Sequence, residues 1–436
     1  MTDEPLDVVV VGGGLAGITA AKELATRGFR TLLLEAQDRL GGRTATQRIA
    51  GLDADTGGAY FHWFQADIWA LVRQYELDVV ERPLADEFWV SADGELLTIS
   101  LEEIDHRLRR ALAAFWDDPE YAAAFYRPYA VQTNPAAVAL DNQSVQDRVD
   151  ALDLDAVDKA LLGGLFADFG RPLDQVSLGY VLQRMANAVW SHEAFNAIFA
   201  SYRLVDGMSA LIDAMVRDGG FDVHLSAPVT AIRHADDGAV VTIADGREVR
   251  ARAVVLATPV NVWQNIEFSP PLPAVNQAAT EEGVAAPSLT NVMMHVRGIK
   301  GVVGVSIPPG EYPFELMFTY DELDDGQLLA GYSMNGQIDL EAGPAHMESA
   351  LRRMWPDAEV VEVVGHDWAN NPYALGGHGS LSIGQLCRFL DVVDEPAGRL
   401  FFASGDIAPH FPGSLTGAVE SGSRAAHRIR RLLNED

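Results

Sequence analysis

Hydrophobic period changes twice within the first 35 residues. Residues 7–11 (DVVVV) form a β-branched run with the character of a buried strand. Residues 15–27 then place apolar side chains at helical spacing, through Leu15, Ile18, Ala21 and Leu24. Residues 31–35 (TLLLE) return to strand character. Strand, helix and strand in about 30 residues predict one parallel βαβ unit. A helix is expected over 64–75. Residues 86–94 and 96–99 read as a hairpin turning at Asp93-Gly94. Residues 101–216 read as mostly helical, with breaks near Pro119, Pro128 and Pro172. Residues 223–255 alternate as a meander of three runs, VHLSAPVTAI, GAVVTIADG and EVRARAVVLAT, turning at Asp237-Gly238 and Asp245-Gly246. FSPPLP (268–273) reads as a boundary. Residues 289–297 and 301–335 alternate like strands of a second sheet, and 345–355 like a helix. RLFFAS (399–404) and a helix over 416–433 return to the opening style.

A length of 436 residues predicts two or three domains, and 48% hydrophobic content is enough for a large core, which excludes disorder as the main state. No window approaches 18 uninterrupted apolar residues, so no membrane span is expected. The acidic start runs straight into a strand, which predicts no signal peptide and a cytoplasmic protein. With 32 Lys+Arg against 62 Asp+Glu, the net charge of −30 argues against nucleic acid and anionic lipid as partners. Cys387 is the single cysteine, so no internal disulfide and no multi-cysteine metal site can form. No metal site is suggested. Only three lysines occur, Lys22, Lys159 and Lys300.

Gly12, Gly14 and Gly17 spell G-x-G-x-x-G between the first strand and the first helix. The first glycine permits a tight turn, the second close approach of backbone to a pyrophosphate, and the third close helix–strand packing. The helix N-terminus adds a positive dipole. Glu35 ends the second strand, 18 residues past Gly17, where a carboxylate can accept from a ribose hydroxyl and would repel a 2′-phosphate. Together these predict a dinucleotide site.

The residues that follow narrow the dinucleotide. Arg39-Leu40-Gly41-Gly42-Arg43-Thr44 and Gly57-Gly58-Ala59-Tyr60 succeed Glu35. Near the other end lie Phe402-Ala403-Ser404-Gly405-Asp406 and the run from Phe411 to Gly422 (FPGSLTGAVESG). In this pattern the chain resembles the flavin amine oxidases, the monoamine oxidase-like family, and most nearly its bacterial hydroxynicotine-oxidising branch. The resemblance spans nearly the whole chain. It implies that Gly12, Gly14 and Gly17 line the pyrophosphate of FAD, that Glu35 holds the adenosine ribose and that Arg43 reaches the pyrophosphate. It places Gly57, Gly58 and Ala59 by the isoalloxazine ring and the Val229 backbone by the adenine. Asp406 is placed near the ribityl–phosphate chain, and the Leu415 N–H at the flavin O2/N1 edge. Leu15, Ala16, Ala36, Gly42, Tyr60, Thr258, Gly405, Ser414 and Ala418 complete the implied FAD-binding set.

Three departures from the family pattern bear on the reaction. Asn291 stands where the family usually has a lysine, and Lys300 is nine residues on. The two positions of the family's aromatic cage read His378 and Ser414, with Tyr60, Trp63 or Tyr180 as candidates to rebuild it. The position of covalent flavin attachment in monoamine oxidases reads Gly377, so FAD is expected to bind non-covalently.

The expected fold class is α/β: a Rossmann-like FAD-binding domain from 1–80, 204–266 and 366–436, plus a substrate domain with a mixed β-sheet and helices from 81–203 and 267–365. The expected function is FAD-dependent oxidation of a small cyclic or aromatic-substituted amine, by hydride transfer to flavin N5 with O2 as acceptor. His378, Asn291, Ser414 and Tyr60 are the catalytic candidates. The alternative is a C–C desaturase acting beside the carbonyl of a cyclic ketone or keto acid. A small-molecule substrate and O2 are the expected partners, and a homodimer is allowed.

Overall fold

A computed structural model describes residues 6–435. Its central feature is an eight-stranded sheet built around Leu6–Val11, which pairs in parallel with Thr31–Leu34 on one side and Glu248–Leu256 on the other. Leu400–Phe402 runs parallel to the end of Glu248–Leu256, and Asp222–His224 parallel to Thr31–Leu34. Val229–Ala235 and Gly238–Ile243 join as antiparallel strands, and Glu267–Ser269 closes that edge.

The unbroken apolar runs follow from this placement, because parallel strands here are covered on both faces. Val8, Val10 and Leu33 pack under the helices Leu15–Ala25, Gly207–Gly219 and Leu415–Glu435. Val9, Val11, Leu32 and Leu34 face a second core with Trp263 and Phe402. Leu15–Ala25 and Leu415–Glu435 cross very closely, since a Cβ on Gly422 would lie 2.3 Å from the Ala16 carbonyl oxygen.

The second sheet has seven strands in the order Glu359–Asp367, Thr290–Arg297, Gly326–Ser333, Leu316–Leu323, Val303–Ser306, Glu87–Ala92, Glu95–Ser100. It is mixed: Val303–Ser306 and Glu87–Ala92 are parallel and the other pairs antiparallel. Thr290–Arg297 alternates by the strand period. Val292, Met294 and Val296 pack with Met347 and Leu351 of the helix Gly343–Leu351. Met293 turns the other way, against Ile49 and Ala54 of the hairpin Thr46–Ile49/Leu52–Asp55. Helices between Leu101 and Ala200 form a layer beside this sheet.

Two details differ from the sequence reading. The run 223–232 is two strands, not one. Ser226 adopts φ 51°, its N–H donates to the Gln37 carbonyl, and Ala227 N–H donates to the Glu35 carbonyl. These bonds tie the chain to the end of Thr31–Leu34 before the meander begins. The mostly helical stretch also contains a short strand, Tyr202–Leu204, paired with Val79–Glu81. Among the described residues no helix is long and apolar enough to cross a membrane.

Gly422→Ala should lower unfolding free energy by about 1–3 kcal/mol, the usual cost of overpacking. A thermal melt checks this; an unchanged midpoint would show that the two helices can separate freely.

Candidate active site

A cavity of about 680 Å³ runs from the carboxyl ends of the parallel strands to the inner face of the second sheet. Its first wall is the Gly-rich turn. Gly12 (φ 108°) sits so near the loop after Glu248–Leu256 that a Cβ would lie 2.8 Å from the Ala257 carbonyl oxygen. Gly17 lies under that turn, where a Cβ would meet the Gly12 carbonyl at 2.0 Å. No side chain caps the helix Leu15–Ala25, so its first N–H groups are left for a ligand. Glu35 fixes the loop geometry: Oε2 accepts from Gly13 N–H at 2.6 Å and Oε1 from Gln37 N–H at 2.8 Å. Burial raises the Glu35 pKa, and those two hydrogen bonds oppose the rise.

The Arg39–Thr44 run forms the second wall. Arg39 binds the carbonyls of Leu40, Gly42 and Thr44, wrapping the loop around its own guanidinium. Gly42 (φ 59°) comes so close to Gly14 that a Cβ would lie 3.1 Å from its Cα. Arg43 points across the cavity floor. Its Nη1 donates to the Gly377 carbonyl and to Asp406 Oδ1, both at 2.7 Å. Asp406 Oδ2 accepts from Val260 N–H at 3.2 Å and Ser404 Oγ–H at 3.1 Å. The carboxylate side chain is 0% exposed and that of Arg43 22%. Gly57 and Gly58 hang from the Arg43 carbonyl, which accepts from Gly58 N–H at 3.0 Å.

The third wall belongs to the second sheet. Asn291 is buried, with Oδ1 unpartnered. It pairs with Tyr332 and His366 across the sheet. Tyr60 meets Phe318 edge-on at 5.5 Å, and Phe318 lies 5.7 Å from Tyr332. Burial drives the Tyr60 phenol well above its ordinary pKa, and its hydroxyl has no partner. Trp368 lies between, held by its indole N–H on the Thr56 carbonyl at 3.1 Å and stacked on His366 at 3.8 Å.

Every residue of the implied FAD-binding set and every catalytic candidate lies on this cavity wall except Gly17 and Asp406. Gly17 sits behind the turn. Asp406 sits behind Arg43 and accepts from its guanidinium, which orders the wall. Arg43 is correspondingly tied to Gly377 and Asp406, not left as a free reaching side chain. Ser414 lines the wall, and its hydroxyl also caps the helix: Oγ–H donates to the Phe411 carbonyl at 2.7 Å and Oγ accepts from Gly417 N–H at 3.1 Å. That cap leaves the start of Leu415–Glu435 facing the cavity.

His378 keeps its place on the wall. Burial lowers its pKa, which favours the neutral ring, and Nε2 is unpartnered. Of the candidates to rebuild an aromatic cage, Tyr60 lines the cavity. Trp63 is 57% exposed, and Tyr180 is buried with its hydroxyl on the Gly379 carbonyl. Phe318 and Tyr332, which the sequence did not assign, line the cavity beside Tyr60. Arg82 and Asp168, also on the wall, carry no sequence motif. The wall has no lysine, and Lys300 is exposed in a loop. Cys387 packs against the core off the cavity, leaving no thiol for covalent attachment.

The donor set fits a flavin dinucleotide. An uncapped helix N-terminus suits the pyrophosphate, Glu35 suits a ribose, and the buried, unpartnered Thr258 Oγ1 lies beside the glycine turn. Fold and wall together define a dinucleotide-dependent oxidoreductase. The family model "Flavin containing amine oxidoreductase" matches residues 15–430, and the chain belongs to that family. It is 34% identical over 434 residues to nicotine dehydrogenase of Pseudomonas putida, covering 98% of this chain and 89% of that one. It is 31% identical over 444 residues to (S)-6-hydroxynicotine oxidase of Paenarthrobacter nicotinovorans, covering 97% and 99%. Among solved structures, putrescine oxidase bound to putrescine superposes with a TM-score of 0.82 at 23% identity, over 98% of this chain and 99% of that one. The protein is thus an FAD-dependent amine oxidoreductase, and the C–C desaturase alternative is not favoured.

Glu35→Gln removes the charge that the Gly13 and Gln37 N–H groups meet. FAD affinity should fall about 10- to 100-fold, the worth of charge-assisted hydrogen bonds. Recovery of free flavin fluorescence on dilution measures it, and an unchanged affinity would contradict the role given to Glu35. His366, pushed down to about 4 mainly by burial and then by Arg39, supplies a pH test. Between pH 6.5 and 4 the unfolded chain takes up a proton that folded His366 refuses. Stability is therefore full above pH 6.5 and falls with pH, by roughly 1–2 kcal/mol after allowing for partial exposure. Melts of wild type and His366→Gln across that window should show a shallower acid slope in the variant.

Proposed function

We propose that this chain oxidises a small cyclic or aromatic-substituted amine and that O2 re-oxidises the cofactor. The observation that carries this reading is the cavity itself. The dinucleotide cradle opens without a break onto an apolar, aromatic chamber in which neutral hydrogen-bonding groups stand unpartnered. The nicotine-related relatives support a compact ring-bearing amine. When bound, FAD supplies the hydride acceptor at N5.

The chain's own residues then orient and prepare the amine. Tyr60, Phe318 and Tyr332 present aromatic surface that excludes water and packs on an apolar ring. His378 lines the cavity with Nε2 unpartnered, and a neutral ring protonated at Nδ1 offers a lone pair at that atom. That atom can accept a hydrogen bond from the N–H of an amine that binds in its neutral form, which orients the nitrogen for reaction. Asn291 offers an amide in place of an ammonium, which keeps hydrogen bonding and omits positive charge. We further propose that 1–80, 204–266 and 366–436 act as the FAD-binding domain and 81–203 and 267–365 as the substrate domain. FAD is bound non-covalently.

The test mixes flavin-loaded protein anaerobically with cyclic amines and, separately, with cyclic ketones. Bleaching of the visible flavin band by an amine is expected. Bleaching by ketones alone would overturn the reading. Asn291→Lys should speed re-oxidation of the reduced protein by O2 about tenfold or more, because a buried positive charge favours formation of a reduced oxygen anion. Stopped-flow absorbance reads that rate, and an unchanged rate would show that charge at this position is immaterial.

A further inference from the structure

Asp168 lines the cavity, as do Arg82 and Arg184, and among the described residues no ion pair closes on its carboxylate. It lies in the turn Ala167–Phe169, directly after the helix Ala156–Phe166. Ala167 and Phe169 are buried in the protein on either side, and Phe169 packs edge-on against Tyr180 at 5.3 Å. The Asp168 side chain between them faces the chamber. The turn is rigidly held. Gly170 takes φ 68°, Ser380 Oγ–H bonds the Phe169 carbonyl, and Arg171 clamps Ser380 and the Ala285 carbonyl, the latter at 2.9 Å. Among the described residues no hydrogen bond or ion pair reaches the Asp168 carboxylate, although the other aspartate at this end of the molecule's ligand machinery, Asp406, is fully paired. Asp168 stands within electrostatic reach of His378, Tyr332 and Tyr180.

An unpaired carboxylate in a chamber that substrate will dry is costly unless something compensates it. A neutral N–H donor satisfies one oxygen and leaves the charge desolvated. A cation satisfies both, and Coulomb attraction in a partly dry site exceeds a neutral hydrogen bond. We propose that Asp168 is the specificity-determining residue for a second basic nitrogen, so that the preferred substrate is a compact diamine. One nitrogen is neutral where it is oxidised, and the other, still an ammonium, rests on Asp168. This rests on the amine-oxidising reading above. It adds a demand for two basic nitrogens that the reading itself does not make.

The test compares matched probes on flavin-loaded protein, cyclohexylamine against trans-1,4-diaminocyclohexane and n-butylamine against putrescine. Apparent Kd is taken from the perturbation of the oxidised flavin spectrum and from anaerobic bleaching. Wild type should bind the diamine of each pair about tenfold or more tightly. Asp168→Asn should reduce that ratio to within about twofold, and Asp168→Glu should retain most of it. A wild-type protein with no diamine preference overturns the inference without any variant. So does a preference that survives in Asp168→Asn while only the pH profile of bleaching moves, since the carboxylate would then serve His378. If amines of neither kind bleach the flavin, the amine-oxidising reading fails, and the inference falls with it. If monoamines bleach it as well as diamines, only the role of Asp168 fails.

Discussion

The cavity depends on one buried ion pair. Asp406 is enclosed completely, and an ionised carboxylate cannot stay in such a place without strong compensation. Its oxygens receive Arg43, the Ser404 hydroxyl and the Val260 N–H. Arg43 in turn takes the Gly377 carbonyl and carries the loop from which Gly58 hangs. Four stretches of chain, near residues 43, 260, 377 and 405, are thereby fixed to one charge. They come from both ends of the sequence and from its middle. These stretches form the floor of the cavity, between the glycine-rich turn and the second sheet.

The chemistry of the chamber follows from which side chains this frame leaves unsatisfied. Burial would normally select against unpartnered polar groups. Tyr60 OH, Thr258 Oγ1, Asn291 Oδ1 and His378 Nε2 are all buried and without partners, and all four face one cavity. Other polar side chains near the cavity are satisfied within the protein. Ser414 caps a helix, and Tyr180 bonds backbone carbonyls. The four unmet groups on the cavity are available to ligand atoms. Burial also keeps His378 and His366 neutral at pH 7, so the chamber carries positive charge only through its arginines.

Much of this was legible in the chain. The opening βαβ unit is read from period alone, because parallel strands covered on both faces become continuous apolar runs. The glycine spacing and Glu35 place the dinucleotide, since each glycine answers a specific close approach. Asn291 and His378 are found only by comparison with a family pattern. The failures have physical causes. Ser226 breaks a run that alternates perfectly well, because backbone bonds to Glu35 and Gln37 outweigh local propensity. The contact between Arg43 and Asp406 joins positions 363 residues apart, which no local pattern records. Phe318, Tyr332, Arg82 and Asp168 lie on strands and turns without motifs. Only the packing of two sheets brings them together, and no local pattern records that.

A double-mutant cycle on FAD affinity tests the central claim most directly, with Arg43→Met, Asp406→Asn and the pair together. If the ion pair frames the cavity, each single change leaves a buried partner uncompensated and weakens FAD binding by about 3 kcal/mol. The double change then costs clearly less than the sum, with a coupling of about 1.5 kcal/mol or more. Additive losses would mean that Arg43 and Asp406 act on the cofactor separately, and would contradict the account of the cavity as built around their contact.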